Sequence, residues 1–337
     1  MPAPPDLSSR VVSHPLSAHV LKAGFLRNQP VFATVDGAIT VLADAPQGVT
    51  AQTIQAHAAG LLVATFTKDA VLSGGEDGRI VRSTLDGKTE VLAENTSRWI
   101  DAIAAGPDGA VAWSTGKTVH ARSAKGEIKV MSAPTTAQGL AFLPKGYRLA
   151  LSHYNGASLW FPNAAAEPEP LPWKGSHLDI TVSPDGRHVV TSMQENALHG
   201  WRITDKAHMR MTGYPAKTRC VSWSHDGNWL ATSGAEAAII WPFSGKDGPM
   251  GKAPRECGVR PMRVSQVAFH PSALVLAIGY EDGFVMLVRL TDASELLVRA
   301  PRVADGARAV TALAWDSAGK RLAIGCADGF AGILTLP

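Results

Sequence analysis

The sequence has few cysteines and no long hydrophobic run. Its three cysteines, Cys220, Cys257 and Cys326, lie far apart and never form a CxxC pair, which argues against a disulfide framework or a zinc knuckle. No stretch of about 18 apolar residues occurs, so no membrane-spanning helix is expected. The first residues also lack the basic and apolar regions of a secretory signal. We therefore expect a cytoplasmic protein with reduced thiols and no membrane association.

The sequence also has little excess of charge of either sign. The formal net charge is +3, 18% of the residues are charged and 45% are hydrophobic, which is ordinary globular composition and argues against disorder. A slight basic excess does not by itself indicate nucleic-acid binding. The sequence also lacks phosphate-binding glycine motifs and the HExxH spacing of zinc sites. We expect neither a cofactor nor a metal.

What the sequence does contain is a layout repeated about every 40 residues. Each unit has an alternating strand, a turn, a second strand, a tighter turn and a third strand. The first turn reads GPDG, SPDG or SHDG at residues 106–109, 183–186 and 224–227. The second turn is Asp-Gly or Asn-Gly at residues 36–37, 77–78, 155–156, 282–283 and 328–329. These dipeptides are strong hairpin signals because both residues must adopt positive φ.

The spacing of the second turn predicts the architecture. Equivalent positions fall at 36, 77, 115, 155, 196, 236, 282 and 328, which lie 38 to 46 residues apart. This period, with about four short strands per unit, is typical of β-propeller blades. We predict an all-β fold with a single closed propeller domain over residues 1–337. It should have eight four-stranded blades, with seven as the alternative.

The two ends of the chain predict how the ring closes. The last unit reaches Pro337 after its third strand, so it lacks an outer strand of its own. The segment Ser8–Ser13 precedes the first unit and is expected to supply that strand. Such pairing would complete the last blade and protect an open sheet edge.

The repeats resemble those of the WD40 family over nearly the whole chain. In that family a tetrad joins a His before the first strand, a Ser or Thr in the second, an Asp in the tight turn and a Trp in the third. The three Trp residues at the tetrad position are followed by Phe161, Arg202 and Pro242, so the WD dipeptide does not occur there. The resemblance implies a structural role for the tetrad residues that remain. These are His57, Ser73 and Asp77 in the second unit, Ser152 and Trp160 in the fourth, His177, Ser192 and Trp201 in the fifth, and Ser233 and Trp241 in the sixth.

Cationic residues recur just before the first strand of several units. In propellers of this family that position lies on the face where loops surround the central opening. We predict a docking site there for an acidic peptide or protein surface, partly offset by Asp179 and Glu281, with a solvated charged rim as the alternative. The predicted contacts are Arg98, Lys217, Arg219, Arg260, Arg263 and Arg308, with Trp99 and Met262 as apolar anchors.

The longest insertion runs from Pro242 to Arg263 and separates the sixth and seventh units. It contains the further cations Lys252 and Arg255 and three apolar side chains, Phe243, Met250 and Met262. Loops of this kind on a rigid scaffold often carry binding, so we predict that it joins the partner site. A tolerated surface excursion is the alternative.

These features favour a non-catalytic, monomeric protein–protein interaction scaffold over an enzyme. The contiguous Ser224, His225 and Asp226 cannot aim at one reacting atom, so no catalytic residue is predicted. One alternative is a metal-dependent hydrolase with its site in the central channel. Another is nucleic-acid binding through the basic face, although few aromatic residues alternate with basic ones as single-strand binding requires.

Overall fold

The computed structural model describes residues 6–45, 48–301 and 308–337. Within these residues the chain forms thirty β-strands and two single turns of 3-10 helix, at Ser8–Arg10 and Pro107–Gly109. None of the described helices is long and apolar enough to cross a membrane. The short alternating segments of the sequence therefore form strands, as the turn signals predict.

The strands are short and follow one another closely. The first fifteen are β1 (Val11–Pro15), β2 (Val20–Leu26), β3 (Gln29–Thr34), β4 (Ala38–Ala45), β5 (Gly48–Gln55), β6 (Leu61–Phe66), β7 (Ala70–Gly75), β8 (Arg79–Thr84), β9 (Thr89–Glu94), β10 (Ala102–Ala105), β11 (Val111–Thr115), β12 (Thr118–Arg122), β13 (Ile128–Ser132), β14 (Gly139–Phe142) and β15 (Leu149–Trp160). The others are β16 (Glu169–Val182), β17 (His188–Met193), β18 (Leu198–Arg202), β19 (His208–Met211), β20 (Val221–Trp223), β21 (Trp229–Thr232), β22 (Ala238–Pro242), β23 (Arg255–Cys257), β24 (Val264–Phe269), β25 (Val275–Tyr280), β26 (Val285–Arg289), β27 (Glu295–Arg299), β28 (Val310–Trp315), β29 (Arg321–Cys326) and β30 (Phe330–Thr335).

Neighbouring strands pair antiparallel into seven sheets. Five sheets contain four consecutive strands each: β2–β5, β6–β9, β10–β13, β20–β23 and β24–β27. A sixth sheet has the order β1-β30-β29-β28, and the seventh contains the six strands β14–β19. The prediction of eight four-stranded blades is therefore wrong. Counted as hydrogen-bonded sheets, the propeller has seven blades, which is the number that the sequence offered as the alternative to eight.

The difference arises between Gly139 and Met211, where two units were predicted. Strands β15 and β16 contain 12 and 14 residues and are the longest in the described chain. The first part of β16 pairs with β15, and its second part, from His177 onward, pairs with β17. Because one uninterrupted strand pairs with both neighbours, the units predicted around Asn155 and Asn196 form a single sheet.

The N-terminal strand completes the last sheet. β1 pairs antiparallel with β30, from Val11 opposite Leu334 to Pro15 opposite Phe330. This confirms the predicted origin of the missing outer strand, although the strand begins at Val11 because the preceding residues form a 3-10 turn. The N–H of Leu7 donates to the carbonyl of Leu297 at 2.8 Å, so the chain also touches β27 of the neighbouring sheet. The described part of the N-terminal segment thus connects two adjacent blades.

The hydrophobic core lies between neighbouring sheets. Alternate residues of each strand face opposite sides of a sheet, so the two faces of a blade pack against the blades on either side of it. The six-stranded sheet contributes two inner strands, β14 and the second part of β16. The other sheets contribute one each, namely β2, β6, β10, β20, β24 and β28, and β2 contacts β28 to close the ring. At Gly279 a Cβ atom would stand 2.6 Å from Val310 of the next sheet, which shows how closely the blades approach. The inner strands surround a central channel.

Candidate partner-binding site

His57 is at the centre of a buried hydrogen-bonded network in the sheet β6–β9. Its Nδ1 lies 3.0 Å from Oδ1 of Asp77, and its Nε2 lies 2.8 Å from Oγ of Ser73. His57 is only 1% exposed, so these partners satisfy ring nitrogens that water cannot reach. The network ties the loop before β6 to the tight turn after β7. It therefore fixes the shape of one end of the blade.

His177 forms a similar contact with a partner other than the expected Ser192. Its Nδ1 lies 2.7 Å from Oγ1 of Thr191, and its Nε2 lies 3.0 Å from the carbonyl oxygen of Trp173. The register between β16 and β17 shifts between His177 and Asp179, so Thr191 and not Ser192 presents its side chain to the imidazole. The assignment of Ser192 is corrected on this ground. Trp201 packs beside the pair, with its ring centroid 5.6 Å from that of His177.

Tyr214 provides the corresponding network in the sheet β20–β23, where the sequence offers no histidine. The indole N–H of Trp241 donates to the Tyr214 hydroxyl at 2.6 Å, and that hydroxyl lies 2.6 Å from Oγ1 of Thr232. Thr232 in turn donates to the carbonyl of Ile239 at 3.0 Å. Ser233, the expected member, instead accepts from the backbone N–H groups of Arg219 and Cys220. These networks are structural, and they position the loops described next.

A pocket of about 660 Å³ opens where the inner strands begin. We call this end of the ring the entry face; it is formed by the loops that precede the inner strands and by the turns between second and third strands. The pocket spans the central opening from Asn196 to His19. Three predicted cations, Lys217, Arg219 and Arg263, line it. The clustering expected for cations before adjacent inner strands is present at this pocket.

The loop that carries Lys217 and Arg219 is held by the neighbouring turn. Thr218 donates its hydroxyl to the carbonyl of Ser233 at 3.0 Å, and the Arg219 N–H donates to Ser233 Oγ at 3.2 Å. Gly234 adopts φ +104°, and a Cβ there would lie 3.0 Å from the carbonyl oxygens of the Lys217 loop. The backbone is thus fixed while both cationic side chains reach solvent. Lys217 and Arg219 make no ion pair with any residue that the structure describes.

Arg263 is partly neutralised inside the same pocket. Its Nη1 lies 3.3 Å from Oε1 of Glu281, and both side chains are well exposed. An exposed pair of this kind contributes at most about 1 kcal/mol, so an incoming anion can compete with Glu281 for Arg263. Glu281 also lines the pocket, as does His19, which sequence analysis missed. His19 directly precedes β2, just as the predicted cations precede other inner strands. The same criterion of position could therefore have identified it from the sequence.

Arg260 and Met262 belong to the entry face but are engaged elsewhere. The Arg260 guanidinium pairs with Asp282 at 3.0 Å and lies 3.5 Å from the ring centroid of Phe284. Met262 packs against the core cluster shared by the sheets β20–β23 and β24–β27. Neither side chain lines the basic pocket.

Lys252 and Arg255 lie at the opposite end of the ring. The insertion contains β23, which pairs with β22 as an ordinary outer strand, so residues 243–254 turn at the far face and residues 258–263 return to the entry face. Arg255 donates to the carbonyl of Leu290 at 2.7 Å and lies over the ring of Trp229. Lys252 donates to the carbonyl of Ser244. The structure does not bring these two cations to the pocket.

Arg98, Trp99 and Arg308 lie in loops that precede inner strands, so they share the entry face without lining the pocket. The Trp99 side chain is 63% exposed, the most exposed indole of the described chain. Arg308 is also exposed. These residues remain predicted contacts at the edge of the face.

Below the basic pocket, the central channel contains one carboxyl in an unusual environment. Asp179 of β16 lines a crevice together with Thr218 and Arg219, and Arg219 also lines the main pocket. The Asp179 side chain is exposed to the channel, but the many protein atoms around it remove part of its hydration and raise the pKa of Asp179. Among the described residues no group of three or more His, Cys, Asp and Glu is arranged to hold a metal ion. The site is therefore defined by its cations, by Glu281 in the pocket wall and by Asp179 in the adjoining crevice.

Comparisons with known proteins agree with the strand arrangement. Residues 207–241 match the family model of the WD domain, G-beta repeat, and residues 267–336 match that of the anaphase-promoting complex subunit 4 WD40 domain. No curated protein matches the sequence. The fold is similar to the crystal structure of the computationally designed Ika8 protein, with a TM-score of 0.79, 16% identity, and coverage of 96% of this chain and 99% of that chain. The two family-model matches are thus to WD40 repeats, and the strand arrangement over the described residues is that of a β-propeller.

Proposed function

We propose that this propeller is a non-catalytic scaffold that binds an acidic segment of a partner protein at the basic pocket of the entry face. WD40 propellers generally mediate protein interactions, and the basic pocket supports a more specific role. The observation that carries the proposal is the convergence of Lys217, Arg219 and Arg263 on one cavity, two of them without an ion pair in the described chain.

The chemistry of these three side chains suits carboxylates. A guanidinium presents a planar set of donors that matches a carboxylate, and an ammonium supplies a compact point charge. With Lys217, Arg219 and Arg263 facing Glu281, the pocket wall has an excess of positive charge. Such an arrangement accelerates encounter with an acidic partner and makes binding sensitive to salt.

The backbone around the pocket is held in place before any partner arrives. The hydrogen bonds from Thr218 and Arg219 to Ser233 fix the cationic loop on the sheet below it. A partner segment therefore does not have to order this loop, which reduces the entropic cost of binding. The cations Arg98 and Arg308 and the exposed Trp99 extend the proposed contact beyond the pocket.

Charge reversal at Arg219 tests the proposal. Binding of a rhodamine-labelled hexaglutamate peptide is measured by fluorescence anisotropy at neutral pH and low salt. Arg219→Glu replaces an attraction by a repulsion and is expected to weaken binding by about tenfold or more. The matched control is Arg289→Glu, which makes the same charge change at a 56% exposed side chain near the far face. Equal affinity of wild type and both variants, or no binding by the wild type, would contradict the proposal.

A further inference from the structure

Asp179 has a position that the binding role of the basic pocket does not explain. It follows the register shift in β16 and lies opposite Ser192 of β17, on the inner strand that borders the channel. Its side chain borders the crevice that Arg219 shares with the main pocket. A carboxylate here lies beside the surface that we propose for acidic segments.

The surroundings of Asp179 leave its charge uncompensated at close range. Its Oδ1 accepts the N–H of Ile180 at 2.8 Å, and the carboxylate forms no ion pair with any described residue. Strand β14 packs against it through Gly139, whose Cβ would lie 2.7 Å from the Asp179 Cα, and β14 has no charged residue. Ser192 faces it from β17. The local contacts are therefore polar or neutral.

Three titratable or cationic groups of other elements lie in the surroundings of Asp179. Lys22 of β2 acts on it from across the channel, and Arg219 lines the same crevice. Lys22 and Asp179 both act electrostatically on the thiol of Cys220. Burial raises the pKa of Cys220, so the thiol stays neutral. Lys22 favours the ionised form of Asp179. Loss of hydration outweighs that effect, which places proton exchange at Asp179 above its ordinary range.

An acidic ligand changes this balance. Each negative charge that enters the pocket repels an ionised Asp179, and the repulsion is relieved when the carboxyl takes up a proton. By linkage, a ligand that favours the protonated form binds more tightly when that form is already populated. Affinity should therefore increase as the pH falls through the pKa of Asp179.

We propose that Asp179 sets the affinity of the basic pocket for acidic segments, whose binding is accompanied by proton uptake at this carboxyl. The inference rests on the proposed function, because it concerns the same ligand class and the same pocket. It assigns opposite roles to two neighbouring residues: Arg219 attracts the acidic segment, and ionised Asp179 opposes it. Replacing Asp179 by a neutral side chain should then strengthen binding.

The test uses the full chain and a probe that does not titrate in the range of interest. A rhodamine-labelled peptide of six cysteic acids keeps its sulfonates ionised between about pH 4.5 and 8, unlike glutamate. Asp179→Asn preserves the side-chain shape and can still accept the Ile180 N–H. It is expected to bind the probe about five- to tenfold more tightly than wild type near neutral pH. Its affinity should also vary less with pH.

Two further variants keep the result unambiguous. Asp179→Ser removes the charge with a smaller side chain and should show the same gain if Asp179→Asn folds poorly. His19→Gln removes the other titratable group of the pocket wall, and the pH dependence that Asp179 causes should persist in it. An Asp179→Asn protein that binds like wild type, or with an unchanged pH dependence, would overturn the inference.

The outcomes separate this inference from the proposed function. If Arg219→Glu loses binding while Asp179→Asn and Asp179→Ser leave it unchanged, the pocket binds acidic segments and only the role of Asp179 is wrong. If the wild type does not bind the probe at any pH, both proposals are wrong. If His19→Gln alone removes the pH dependence, the proton is taken up at His19 and not at Asp179.

Discussion

Removing a single buried hydroxyl should measurably destabilise the ring. In Tyr214→Phe the indole N–H of Trp241 loses its acceptor, which lies 2.6 Å away, inside a cluster where Trp241 is only 8% exposed. A lost hydrogen bond costs about 1 kcal/mol, and a buried donor left unpaired costs about 1–3 kcal/mol. We expect the free energy of unfolding to fall by about 2–3 kcal/mol. Thr232 loses its 2.6 Å contact with the Tyr214 hydroxyl but keeps its own donor bonded to the Ile239 carbonyl, so the unpaired donor is the Trp241 indole.

The assay is thermal unfolding followed by calorimetry. For a chain of 337 residues, the entropy of unfolding near the midpoint is about 0.7 kcal/mol/K, so the expected loss lowers the midpoint by about 3–4 °C. Tyr154→Phe is the matched control, because it makes the same chemical change at a tyrosine that is 53% exposed. A midpoint of Tyr214→Phe within 1 °C of both the control and the wild type would refute the reasoning.

Two further predictions concern buried polar groups. Ser73→Ala leaves the Nε2 of His57 without its 2.8 Å partner and should lower the free energy of unfolding by about 1–2 kcal/mol in urea denaturation, whereas loss of the exposed Ser17 hydroxyl should not. Burial and nearby cationic groups lower the pKa of His199 to about 3, whereas an unfolded histidine has an ordinary value of 6.5. The unfolded chain then binds more protons, so stability should fall from about pH 6.5 downward, by up to about 5 kcal/mol near pH 3. His199→Phe, which replaces a ring without hydrogen-bond partners among the described residues, should flatten that decline; an unchanged profile would contradict it.

The propeller architecture was accessible from sequence because its signals are local. Positive φ was expected at both residues of each tight turn; Gly37, Gly78, Gly283 and Gly329 adopt it, whereas the Asp before each of them does not. The missing outer strand of the last unit also followed from the repeat layout, and β1 supplies it. Features encoded by a few adjacent residues were thus predicted directly.

The blade count depended on something less local. Asn155 carries a turn signal like the others, but β15 and β16 extend through the region and share their pairing with both neighbours. Whether a strand stops between two units depends on hydrogen bonds to strands distant in sequence. A repeat period alone does not contain that information.

The candidate site was predicted only in part, because some of its features are local in sequence and others depend on strand pairing. Position before an inner strand is a local property, so Lys217, Arg219 and Arg263 could be grouped from sequence, and the structure places them on one pocket. The ends of β23 were not visible in the insertion, so the sequence did not show that Lys252 and Arg255 lie away from the pocket. Tyr214 lies where a histidine was expected, and Thr191 makes the contact expected of Ser192. Both depend on the direction of the side chain, which the strand register determines.

The pairing of β1 with β30 has a consequence for how the chain folds. Val11 lies opposite Leu334, 323 positions later, while the other sheets pair strands that are close in sequence. Local sheets can form while the chain is still being synthesised, but the last sheet cannot be completed until its C-terminal strands emerge. Until then β1 has no partner, and β30, once it has emerged, presents an unpaired edge that another chain could occupy before β1 docks. Ring closure should therefore be the slow, late step of folding and the stage at which this protein is most prone to aggregate.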